Sequence, residues 1–194
     1  MNVAHYFTFL RIVIIPFFPL FYLKYEWFHI DAHLLPYVLL LILGVCEISD
    51  VVDGFLARKR NLVTDAGKVL DPMADSITHI LVFFTLTQGV VGLPILLVFV
   101  FLYREFLIST LRTLCALKGV ALAARKSGKA KAAGQAAVNL FIVALLIPFS
   151  YGHLSLNSLQ SYSFIASLIA AIYTIISGAD YVYSNWHFIK KAFA

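Results

Sequence analysis

Long apolar runs leave this chain few ways to fold. Of its 194 residues, 61% are hydrophobic and only 13% are charged, whereas a soluble domain is about 45–50% apolar. A bilayer core about 30 Å thick takes about 20 apolar residues of helix. Lipid offers backbone N–H and C=O groups no partners, so a spanning chain must satisfy them within itself. Apolar runs near residues 8–23, 35–57, 68–88, 92–117, 133–151 and 160–184 predict six membrane helices. Polar breaks at residues 24–34, 88–92 and 152–159 separate them. The expected architecture is an all-α integral membrane protein: one domain over residues 1–194, a six-transmembrane-helix bundle, with residues 1–7 as a short interfacial segment. The first run contains Arg11 and lacks a small-residue cleavage site, so it is expected to be mature structure rather than a signal peptide. Cys46 and Cys115 fall in apolar stretches and are expected as buried small hydrophobes, not as a disulfide.

Charge gives the orientation. With the N-terminus inside, the inner segments carry Arg11, Arg58, Lys59, Arg60, Lys68, Lys118, Arg125, Lys126, Lys129, Lys131, Lys190 and Lys191. The outer loops carry Lys24 alone, and Arg104 and Arg112 lie inside the fourth run. Cytoplasmic loops collect Lys and Arg, so both termini are expected in the cytoplasm. The net charge of +5 is therefore a membrane signal rather than a nucleic-acid one.

The acidic residues are distributed differently. Six of the ten fall between Glu47 and Asp75. Asp50 and Asp53 are one helical turn apart, as are Asp71 and Asp75, so each pair shares a helix face. An ionised carboxylate at membrane depth costs roughly 2.5–3.5 kcal/mol, and four require compensation. Two carboxylate pairs on neighbouring helices make a cage of hard oxygen ligands suited to Mg²⁺ or Mn²⁺. Two such ions would clamp a transferring phosphoryl group. Gly54, Gly67 and Ala57 permit close approach of a ligand, Arg58 offers a planar fork for phosphate, and Thr64 suits a ribose or base. Two other readings compete: carboxylates paired structurally with Arg104 and Arg112, or a relay in a metal or proton transporter. Neither explains the intervening Gly, Ala and Arg, and no ladder of acids continues toward the outer face.

The segment Asp50–Asp75 resembles the CDP-alcohol phosphotransferase family, whose signature is Asp-x2-Asp-Gly-x2-Ala-Arg-x8-Gly-x3-Asp-x3-Asp. Every fixed position of that signature is met here. The resemblance implies six transmembrane helices, a homodimer, and a polar cavity facing the cytoplasm, in the inner (cytoplasmic) membrane of the cell. It implies a reaction in which an alcohol attacks the lipid-bearing phosphate of a CDP-lipid and CMP leaves. It also implies roles: Asp50, Asp53, Asp71 and Asp75 as ligands of two divalent ions, Asp75 additionally as catalytic base, and Gly54, Ala57, Arg58, Thr64, Gly67 and Thr8 lining the CDP pocket.

A second constellation bears on the acceptor. Arg104, Glu105, Ser109 and Arg112 sit on one helix, and Arg125, Lys129 and Lys131 follow in what reads as a flexible basic loop. Two intramembrane arginines beside such a loop suit a second phosphate. The plainer reading is Arg104–Glu105 pairing plus a loop touching anionic lipid. This block resembles the phosphatidylglycerophosphate synthase branch of the family, which implies CDP-diacylglycerol as donor and sn-glycerol 3-phosphate as acceptor, in phospholipid biosynthesis. Phosphatidylglycerol, serine and inositol phosphate are the alternative acceptors. In the first run Thr8 and Arg11 match an Asn-x2-Thr-x2-Arg pattern, with His5 in place of the Asn; Ala132 stands where a Thr is usual.

Of the remaining residues, His79 lies one turn after Asp75 and is expected in the core, Glu47 is either a cavity carboxylate or a support for one, and Asp180 is expected to pair with a base from another helix. Trp27, Trp186, Tyr181 and Tyr183 read as interface anchors. His29, His33 and His153 lack ligand spacing for zinc.

Overall fold

The computed structural model describes residues 3–59, 65–117 and 125–193, with side chains described over 8–52, 72–117 and 125–190. All regular structure among them is helical: α1 (Val3–Ile14), α2 (Phe17–Lys24), a 3₁₀ turn (Tyr25–Phe28), α3 (Leu35–Lys59), α4 (Asp65–Thr85), α5 (Ile95–Leu117), α6 (Lys126–Ser150) and α7 (Leu156–Phe193).

Proline and glycine set the breaks. The first apolar run is split between α1 and α2 at Pro16, which has no N–H to continue the ladder. Residues 3–7, expected as a separate segment, are continuous with the rest of α1. Gly89 turns the chain between α4 and α5 at φ 67°, and a Cβ there would lie 3.0 Å from the Tyr22 hydroxyl, so that position is restricted twice over. Tyr22 uses the space to donate to the Gln88 carbonyl at 3.1 Å. Gly152, at φ 74°, ends α6, and the next amide (His153 N–H) returns to the Pro148 carbonyl at 2.9 Å.

Two helix boundaries differ from the sequence reading. α6 begins at Lys126, so Lys129 and Lys131 lie on its first turns rather than in a flexible loop. The Ala-rich composition there favours helix, a signal that the run of charges masked. α7 extends from Leu156 to Phe193, well past the apolar run, because its polar last turns continue the helix beyond the bilayer-length stretch.

Side-chain contacts order the bundle. His79 and Asp75 of α4 meet, in that order, the region of Glu47 and Asp50 of α3, so the two helices run antiparallel. Gln135 of α6 and Arg125, just before its first residue, meet Thr174 and Asp180 of α7, so α6 and α7 are also antiparallel. Arg104 and Arg112 of α5 meet Ser177 and Tyr181 of α7, which makes those two parallel. α1 packs on both α3 and α4, and α6 touches α3, α4 and α7. The core between them is apolar, with Phe18, Leu39, Phe83, Phe101 and Ile142 fully buried and the Phe83 and Phe101 rings 4.4 Å apart. The buried face of α7 is small: Ser163, Ser167, Ala171, Thr174 and Ser177 let α5 and α6 come close, the contact that lipid-phase packing favours. Outward, Leu41, Ile48, Val51, Leu96 and Phe106 are exposed, as a lipid-facing surface requires. Four helical stretches are long and apolar enough to cross a membrane among the described residues: Thr8–Phe28, Leu35–Val52, Lys126–Ser150 and Leu156–Lys190. This is an integral membrane protein. Cys46 and Cys115 are free and buried.

Candidate active site

Three helices bring the first group together. α1 contributes Arg11, α3 contributes Asp50 and α4 contributes Asp75; Thr8, one turn before Arg11 on α1, is buried. The Arg11 Nη1 donates to Asp50 Oδ1 at 2.7 Å and to Asp75 Oδ1 at 2.6 Å. Two oxygens on one nitrogen must be close, so the carboxylates of two helices converge on a point. The Arg11 side chain is only 2% exposed, while those of Asp50 and Asp75 are 39% and 29% exposed. The cation forms a buried floor, and the carboxylates face the open side. One turn deeper, His79 Nδ1 lies 3.7 Å from Glu47 Oε1, and Asn139 of α6 donates to the His79 carbonyl at 3.3 Å.

This convergence fits a hard divalent cation. The carboxylate oxygens of two helices are already gathered, and both side chains are partly exposed. Asp53 and Asp71 lie on the described backbones of α3 and α4, one turn from Asp50 and Asp75, but their side chains fall outside the description. Among the described residues no three His, Cys, Asp or Glu side chains converge. Gly54, Ala57 and Arg58 lie on the last turns of α3 and Gly67 on the first turn of α4, again without described side chains, and Thr64 lies outside the described residues.

A second group begins one residue from the first. Ser76 donates to Glu105 Oε2 of α5 at 2.8 Å. Glu105 Oε1 also accepts from Arg104 Nη1 at 2.9 Å and from the Lys131 ammonium of α6. Side-chain exposures of 10% for Arg104, 17% for Glu105 and 5% for Lys131 place this cluster out of bulk water. It holds two cations against one carboxylate. Arg104 continues to the Ser177 hydroxyl at 3.2 Å, and a Cβ on Gly178 would press on its Cγ at 3.2 Å. Two turns further along α5, Arg112 Nε donates to the Tyr181 hydroxyl at 3.1 Å, with the guanidinium 5.3 Å from that ring's centroid. That partner is neutral, so among the described residues the Arg112 charge stays uncompensated. Arg125 is different: it forks onto Asp180 at 2.9 and 3.1 Å, and Ser127 donates to the same carboxylate at 2.6 Å. Ser109 and Lys129 are exposed and stand apart from the Glu105 cluster.

The CDP-alcohol phosphatidyltransferase description matches residues 1–176. The chain belongs to the CDP-alcohol phosphatidyltransferase family. A Bacillus subtilis relative is 32% identical over 202 residues, covering 98% of both chains. One from Rickettsia felis is 35% identical over 182 residues, covering 93% of each. One from Treponema pallidum is 31% identical over 160 residues, covering 78% of this chain and 72% of the other. All three carry the name CDP-diacylglycerol–glycerol-3-phosphate 3-phosphatidyltransferase.

Within this family member the sequence reading assigned no role to Arg11, Ser76 or Tyr181 in the site. Arg11 had a signal: an arginine inside an apolar run requires a carboxylate partner, and Asp50 and Asp75 supply it. Tyr181 was read as an interface anchor but is 1% exposed and holds Arg112. Nothing near Ser76 in the sequence points to Glu105. Asp180 does find its base on another element, as expected, in Arg125.

Proposed function

We propose that this chain transfers the phosphatidyl group of CDP-diacylglycerol to sn-glycerol 3-phosphate, giving phosphatidylglycerophosphate and CMP. The observation that carries the reading is the adjacency of two centres of opposite character. A carboxylate pair at Asp50 and Asp75 lies one residue, Ser76, from a buried cationic cluster at Arg104 and Lys131. One suits the metal-bound diphosphate of the donor, the other a phosphate on the acceptor. The names carried by the relatives favour the same donor and acceptor.

Asp50, Asp53, Asp71 and Asp75 would hold Mg²⁺ or Mn²⁺, two ions in all, which when bound supply positive charge to the diphosphate and to departing CMP. Gly54, Ala57, Arg58, Thr64, Gly67 and Thr8 line the CDP pocket. Asp75, oriented through one oxygen by Arg11, takes the proton of the acceptor hydroxyl. That hydroxyl oxygen forms the new bond to the phosphatidyl phosphorus as the bond to the CMP phosphate breaks. Arg112, Arg104 and Lys131 hold the acceptor phosphate, with Ser109, Arg125 and Lys129 at the approach. Arg125 is already balanced by Asp180, so Arg112, which donates to a neutral hydroxyl, is the principal phosphate ligand.

The chain crosses the inner membrane six times with both termini and the site on the cytoplasmic side. The alternating helix directions and the excess of Lys and Arg at one end support this. It forms a homodimer, a reading that rests on the family resemblance alone. The test is divalent-metal-dependent CMP release by the purified protein with CDP-diacylglycerol, comparing glycerol 3-phosphate, serine, inositol phosphate and phosphatidylglycerol. Release with glycerol 3-phosphate alone supports the reaction, the metal dependence and the acceptor together. Release with a different alcohol overturns the acceptor, and no release with any overturns the reaction.

A further inference from the structure

We propose that Arg11 is a built-in competitor of the divalent cation, and that it makes metal binding depend on arrival of the anionic nucleotide. The inference rests on the reading of Asp50 and Asp75 as metal ligands. Both N–H groups of one Arg11 nitrogen are directed at these carboxylates, at 2.7 and 2.6 Å. Each oxygen lone pair engaged by the guanidinium is withdrawn from a metal. The side chain is 2% exposed, so water and salt screen its charge only weakly. A guanidinium does not deprotonate in proteins, and Arg11 is buried on a helix that packs against both α3 and α4, so its charge stays positive at the place where the two carboxylates meet.

Two consequences follow from these facts. In the metal-free protein Arg11 neutralises part of the repulsion between two gathered carboxylates and ties α3 to α4. When a divalent ion enters from the open side, the same fixed charge opposes it at short range, where attenuation by the medium is weakest. A diphosphate entering from that side restores the balance. Metal and nucleotide therefore bind with positive coupling, and by linkage each raises the affinity of the other by the same factor.

The test is Mn²⁺ binding to the purified 194-residue protein in detergent, read by the loss of the free-Mn²⁺ electron paramagnetic resonance signal, with and without saturating CDP, after subtracting the Mn²⁺ that CDP alone takes up in a protein-free titration. In the wild type CDP should tighten Mn²⁺ binding at least about tenfold. Arg11→Gln should bind Mn²⁺ without CDP at least about tenfold more tightly than the wild type, and its gain from CDP should shrink. Arg11→Lys keeps the charge and should stay within about threefold of the wild type in both measurements. Wild-type Mn²⁺ affinity indifferent to CDP would overturn the proposal even if Arg11→Gln failed to fold. So would Arg11→Gln binding Mn²⁺ no more tightly than the wild type. Absence of Mn²⁺ binding to the wild type under either condition would remove the metal reading itself, and this inference with it.

Discussion

Replacing Glu105 with Gln is the perturbation for which the structure gives the clearest magnitude. Glu105 accepts from Arg104, Lys131 and Ser76, and the two cationic side chains are 10% and 5% exposed. The substituted amide would retain an acceptor oxygen but lose the charge, leaving two cations facing each other out of water. Breaking a buried pair by removing one partner costs about 3–5 kcal/mol, and the retained oxygen puts this case at the lower end, about 3 kcal/mol. For a chain of this size each kcal/mol moves the melting temperature by about 2–4 °C, so Glu105→Gln should melt about 6–12 °C lower. The assay is thermal unfolding in detergent micelles followed by intrinsic fluorescence. Adding Lys131→Met removes one of the stranded cations, so the double variant should be less destabilised than the sum of the singles by about 1 kcal/mol or more. A fall below about 2 °C for Glu105→Gln, or strict additivity in the double variant, would refute the claim that this carboxylate neutralises the cluster.

The other predictions concern chemistry and the turn. Asp75→Asn should lower kcat about 10²–10⁴-fold while the melting curve stays cooperative; turnover at the wild-type rate would remove Asp75 from the proton transfer. Arg112→Ala should raise KM for glycerol 3-phosphate at least about tenfold, consistent with loss of a charge-assisted contact, with KM for CDP-diacylglycerol nearly unchanged. Arg125→Ala, whose charge Asp180 already balances, should move the acceptor KM by less than about threefold, and reversed sizes for these two variants would exchange their roles. Gly89→Ala places a Cβ 3.0 Å from Tyr22 at φ 67° and should cost about 1–2 kcal/mol from the left-handed backbone alone, read as a lower melting temperature without loss of metal dependence. Chelation with EDTA should abolish CMP release, and Mg²⁺ or Mn²⁺ should restore it.

Much of the fold is legible in one dimension because bilayer length and composition act locally. Every apolar run became helix, and the Gly89 and Gly152 turns follow from backbone freedom at those residues. The limits of that legibility are local too. The Lys-rich start of α6 reads as a loop by charge, although its alanines form helix. In the site, the spacing of Asp50, Asp53, Asp71 and Asp75 is visible because one helical turn fixes which residues share a face. Asp180 announced its need for a base, since a carboxylate in an apolar stretch is costly alone.

What the sequence by itself determined is therefore everything set within a helix or by the cost of polar groups in lipid: the helical class, the carboxylate pairs, and the demand for counter-charges. Only the tertiary structure decided which charge meets which. The choice of Arg11 for Asp50 and Asp75, of Glu105 for Lys131, and of Asp180 for Arg125 joins residues between 26 and 64 positions apart. Partner choice depends on the rotation and depth of whole helices against one another, and packing across the bundle sets those quantities, not periodicity along the chain. That selection gave Arg112 a neutral hydroxyl and Arg125 a carboxylate, a difference between two arginines that no sequence spacing records.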